Sequence, residues 1–192
     1  MCVILIDRFV IPTSLHLIFT IGIRFPKTVN HRLTPMQPYE KYLNEAFDLA
    51  YQSVRNNIGG PFGAVVVMDG KIIGEGGNRV ISQNDPTAHA EIIAIREACR
   101  NISNFDLSGA VLYATCEPCP MCLSAIYWAN IKEVYFCSTR YQAEAIGFKD
   151  NHIYEEINLL PEERSLSFHQ VTHPEAAGLF REWEEKQDKM VY

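Results

Sequence analysis

The chain has 192 residues, 47% of them apolar and 21% charged, with a formal net charge of −6. That length and balance suit one globular domain with a real core and short extensions. The acidic excess leaves no basic stripe of the kind that tracks phosphates, which argues against a large nucleic-acid substrate.

The first 35 residues begin MCVILIDRFVIPTSLHLIFTIGIRF, an apolar run broken by Asp7, Arg8, Pro12 and His16. A spanning helix needs about 20 mostly apolar residues, and a signal peptide needs a positive start and a small-residue cleavage site. Neither pattern is met. We expect residues 1–35 to be an N-terminal extension that is not native, with Met36 as the natural start and residues 36–192 as the working domain. A membrane anchor is the competing reading of that run, and no membrane partner is expected.

From Pro38 the pattern is legible. YEKYLNEAFDLAYQSVRN spaces Tyr39, Leu43, Ala46, Phe47 and Ala50 as one face of a helix. IGGPFG breaks it, and GAVVVMDGKIIGEGGN reads as strand, Asp-Gly turn and strand. After the polar loop SQNDPT, AHAEIIAIREACRN is a second amphipathic helix. GAVLYATC is an apolar strand, and EPCPMCLSAIYWAN is a helix whose prolines suit a first turn. EVYFCST is a further strand, a helix begins near Gln142, and PEAAGLFREWEEKQDKMVY closes the chain as an amphipathic helix with a short tail. This order predicts an α/β fold, a three-layer sandwich around a mixed sheet.

The chemistry concentrates in two places. His89-Ala90-Glu91 opens one predicted helix, and Pro118-Cys119-Pro120-Met121-Cys122 opens the next. Imidazole and thiolates are preferred zinc ligands, and two cysteines spaced C-x-x-C at a helix start can face one ion. Three protein ligands leave a tetrahedral position open, which marks a catalytic zinc rather than a structural one. Zinc in such a site lowers the pKa of its bound water from 15.7 to about 7. Glu91, two residues past His89, can lean over that water as a proton shuttle without ligating the metal. H-x-E followed by P-C-x-x-C is the signature of zinc nucleobase deaminases.

Six cysteines are present, and Cys116, Cys119 and Cys122 crowd one seven-residue stretch. That suits metal ligation better than a disulfide framework. Cys2, Cys99 and Cys137 read as buried thiols, which points to a reducing cytoplasm. Cys116 is open to two readings, a fourth ligand that closes the site or a buried thiol at a strand end. A lone C-x-x-C also serves redox pairs and structural zinc knuckles, but neither has a use for His89-Ala90-Glu91.

GGPFGAVVV, NDPTAHAEIIAIREAC, CEPCPMCLSAIYWA and AEAIGFKDNHIYEE together resemble the cytidine deaminase superfamily, and within it the bacterial guanine deaminases. The resemblance runs from about Pro38 to Tyr192. It implies a mixed five-stranded sheet between helical layers, and a homodimer that exchanges C-terminal segments. It also implies a zinc-dependent hydrolysis at C2 of a purine base, guanine, giving xanthine and ammonia. Carried over by motif, Asn78, Phe62, Ala90, Trp128, Asp150 and Tyr192 would surround the base, with Glu91 and Asp150 catalytic. Asp150 would answer the N–H donors of guanine. Each has a plainer reading too: Asn78 as a turn residue, Phe62 and Trp128 as core aromatics, Asp150 as a solvated loop acid and Tyr192 as a frayed end.

Three rival readings share the motif. A tRNA adenosine deaminase would need lysines and arginines for phosphate, which the charge of −6 does not favour. Guanosine, cytosine or an aminotriazine would each need a different pocket depth. A non-catalytic zinc-binding protein on the same scaffold would be expected to lose the proton shuttle, and Glu91 is present.

Overall fold

Asp69 and Gly70 carry positive φ of 51° and 73°. That is the left-handed reversal an Asp-Gly hairpin needs. They join β1 (Gly63–Met68) to β2 (Lys71–Gly77), which pair antiparallel. In this computed structural model residues 37–191 are described. The expectations for residues 1–35, for Met36 as a start and for Tyr192 therefore lie outside the described residues.

The first helix, α1 (Pro38–Arg55), precedes the hairpin. After it come the short α2 (Val80–Gln83), α3 (Ala90–Ile102), β3 (Val111–Cys116), α4 (Pro120–Trp128) and β4 (Glu133–Ser138). β1 pairs antiparallel with β3, and β3 pairs parallel with β4. The sheet is therefore mixed, in the order β2-β1-β3-β4.

Strand alternation splits the core in two. Val65, Val67 and Tyr113 face one side, where Tyr42, Leu43 and Leu49 of α1 cover them. Ala64, Val66, Leu112 and Ala114 face the other, against Ala94 and Ala98 of α3 and Ile126 of α4. These are the three expected layers. Close approach of α3 to the sheet depends on glycine: a Cβ on Gly76 would stand 2.0 Å from the Ala90 carbonyl oxygen.

The sheet has four strands among the described residues, where five were expected. After β4, Thr139 caps α5 (Arg140–Ala145) with a capping box, and the chain turns away into helix. α6 (Asp150–Asn158) and a 3₁₀ turn (Pro161–Glu163) follow. Residues 164–174 then run without strand pairing, with Phe168 and Val171 exposed. Leu166, Phe168 and Val171 find no layer to pack against among the described residues, so adding to β4 would bury little. The last helix, α7 (Glu175–Glu185), is amphipathic as expected. Among the described residues no helix is long and apolar enough to cross a membrane.

Candidate active site

Two helix N-termini converge on one spot. His89 is the N-cap of α3 and Cys119 the N-cap of α4, both with extended backbone. Cys122 is the third residue of α4, so it faces Cys119 as the two ends of a capping box face each other. Pro120 at the first helical position needs no N–H partner and pre-sets the turn between them. The partial positive charge of both helix ends favours thiolate and carboxylate there.

His89 Nδ1 lies 3.5 Å from each of the two sulfurs, and the sulfurs are 3.6 Å apart. Donor atoms on a tetrahedral zinc, at about 2.3 Å for sulfur and about 2.0 Å for nitrogen, stand about 3.5–3.8 Å from one another. The triangle therefore has the edges a zinc ion requires, and the donor set fits zinc. Cys116 is outside this group of three. Its Sγ lies 3.8 Å from the Thr139 carbonyl as donor, and burial pushes its pKa up to about 11. It is a buried thiol, and the group has three donors among the described residues.

The charges fit the same picture. The Cys122 thiol and the His89 ring hydrogen-bond Cys119 and pull its pKa down to about 4. Cys122 is pushed up by its bond to Cys119 and by burial. His89 is raised, chiefly by its bond to Cys119. Glu91, in the first turn of α3, is pushed up to about 7 because burial penalises its charged form.

A cavity of about 330 Å³ opens beside the metal ligands. Phe62, Asn78, Glu91 and Asp150 line it with His89 and Cys119, so the structure brings six of the expected site residues together. Asn78 is buried, and its Oδ1 accepts from the backbone N–H groups of Gly60 at 3.1 Å and Val80 at 3.2 Å. Its oxygen is thereby committed, and the NH₂ donor is what it has to offer a ligand. Asp150 is half-buried at the first turn of α6, and its pKa is raised by burial and by the nearby Cys119.

Ala90 and Trp128 behave differently. Ala90 packs wholly in the core under β2, so only its backbone lies near the ligands. Trp128 does not line the cavity; it stands at the end of α4, 65% exposed. Phe148 and Glu117 are among the lining residues that were not singled out from sequence. Phe148 packs edge-on against Phe62 with ring centroids 4.6 Å apart, and Glu117 lines the cavity beside Cys116. Both flank residues that the motifs already mark, Asp150 and Cys119, and that adjacency was the available signal.

Residues 36–138 match the model of the family described as cytidine and deoxycytidylate deaminase zinc-binding region. The guanine deaminase of Bacillus subtilis (strain 168) is 48% identical over 154 residues, covering 80% of this chain and 99% of that relative. The X-ray structure of guanine deaminase from Bacillus subtilis superposes with a TM-score of 0.78, over 82% of this chain and 99% of the other. A tRNA-specific adenosine deaminase of Haemophilus influenzae is 48% identical over a shorter stretch, 50% of this chain and 60% of its own length. The chain belongs to the cytidine and deoxycytidylate deaminase family of zinc-binding proteins.

Proposed function

We propose that this protein is a guanine deaminase, a zinc-dependent hydrolase that converts guanine and water to xanthine and ammonia, with residues 36–192 as its working domain. The observation that carries this reading is the cavity in which His89 and Cys119 of the metal-ligand group meet Glu91, Asn78 and Asp150. Its volume, near the lower end for small-molecule sites, suits one base rather than a polymer. No lysine or arginine lines it among the described residues, so no cationic side chain there answers a phosphate. The near full-length likeness to the Bacillus subtilis guanine deaminase supports the same substrate.

His89, Cys119 and Cys122 would hold a zinc ion, which would supply the Lewis acidity that brings the pKa of water to about 7. Glu91, its pKa raised to about 7 by burial, carries one proton of the attacking water to N3 and then the second, from the new C2 hydroxyl, to the amine, which leaves as ammonia. Asp150 accepts from the N–H donors of the guanine edge, and the Asn78 amide donates to an acceptor of the base. Phe62, braced by Phe148, packs on the purine face.

A homodimer with exchanged C-terminal segments completes the reading. Leu179, Phe180 and Trp183 of α7 are exposed, as are Trp128 and Phe136. Apolar surface of that extent is what a second copy would cover. None of the five described cysteines is joined in a disulfide, which suits the cytoplasm.

The test is ammonia release by zinc-loaded protein offered guanine, guanosine, adenosine, cytosine and an adenosine-bearing tRNA stem-loop. Turnover of guanine alone supports the reading. Turnover of the stem-loop instead would move the protein to the tRNA deaminases.

A further inference from the structure

Asp150 stands on a helix with little of its own to hold it. No residue of α6 is fully buried, and its N-cap, Lys149, makes no side-chain cap bond. Yet a carboxylate that recognises a base must be held to within a fraction of an ångström of its working position. Something else must set where α6 sits.

Tyr154 lies four residues after Asp150, on the same helix face and one turn along. Its hydroxyl donates to the Pro118 carbonyl at 2.8 Å, and Pro118 directly precedes the ligand Cys119. The Tyr154 ring also packs under a charge: the Arg140 guanidinium lies 4.6 Å from its centroid. Arg140 in turn holds Glu117. Its NH1 lies 3.1 Å from Glu117 Oε1, and its backbone N–H donates to Oε2 at 3.0 Å. Residues 117 and 118, which lead into Cys119, are thus gripped twice, Glu117 by Arg140 and Pro118 by Tyr154.

We propose that Tyr154 is a positioning residue: by tying α6 to the Pro118 carbonyl, it sets Asp150 at a fixed place relative to the Cys119 side of the cavity. This rests on the guanine reading of the site. Tyr154 does not line the cavity; it acts through Asp150. The half-buried Arg140–Glu117 pair keeps the accepting loop from shifting to meet a displaced helix.

Tyr154→Phe tests this, because it keeps the ring beneath Arg140 and removes only the hydroxyl. We expect kcat/KM for guanine to fall roughly three- to tenfold, the worth of one ordinary hydrogen bond. The Kd of xanthine, measured by calorimetry, should rise by a similar factor with zinc content unchanged. In an Asp150→Asn background the same substitution should cost nothing further, since the residue being positioned is gone. Losses that simply add across the two sites, or a Y154F protein equal to wild type in both readouts, would overturn the assignment while leaving the functional reading intact. A wild-type protein inert on guanine would fail the functional reading, and this assignment with it.

Discussion

A Cβ placed on Gly59 would stand 2.3 Å from Asn78 Oδ1 and 2.4 Å from the Asn78 backbone oxygen. The residue that presents a donor to the cavity is therefore seated against a glycine with no room for a side chain. Gly59→Ala should push Asn78 out of place at a stability cost of roughly 1–3 kcal/mol. We expect the KM for guanine to rise by about tenfold or more while the metal stays bound. Steady-state kinetics beside a zinc assay check both halves.

Gly76 is the matching position under the metal ligands. A methyl there would meet the Ala90 carbonyl oxygen at 2.0 Å and lift the start of α3, which carries His89 and Glu91. Gly76→Ala should lower zinc occupancy as well as turnover, which Gly59→Ala does not. Metal analysis of the two purified variants separates them.

Glu91→Gln removes the proton shuttle and leaves the three donor atoms alone. Zinc should remain bound, and kcat should fall by about 10²- to 10⁴-fold, the usual worth of a general acid–base group. Surviving turnover would remove Glu91 from the mechanism.

Stripping the metal should expose a reactive thiol. In the metal-free protein the Cys119 pKa lies near 4, so it is a thiolate at neutral pH, and it lines the cavity. A lowered pKa keeps the thiolate as pH falls, so iodoacetamide labelling at Cys119 should stay flat from pH 8 to about 5 and drop as pH nears 4. Cys116, with a pKa near 11, should stay unlabelled across that range. Peptide mass spectrometry reads the two sites separately, and bound zinc should protect Cys119.

The zinc ligands and Glu91 were legible because their chemistry is local: each half of the motif starts a helix, and the helix start itself aims the side chains. The strands were legible from apolar runs bounded by glycine and asparagine. What was not legible was long-range or borrowed. The fifth strand came from family resemblance, and the chain instead enters helix at the Thr139 cap. Trp128 looked like a pocket wall because it shares α4 with Cys119 and Cys122. Two residues past the buried Ile126, however, is about 200° around a helix, and Trp128 points outward. The Phe62–Phe148 and Tyr154–Pro118 contacts join segments far apart in the chain, and no periodicity announces them.

The most direct test of the central claim is to incubate the zinc-loaded protein with guanine in heavy-oxygen water and weigh the product. The account predicts xanthine carrying one heavy oxygen, with one ammonia released per guanine consumed, and no product after the metal is chelated. Guanine recovered unchanged, or xanthine formed equally well without zinc, would contradict it.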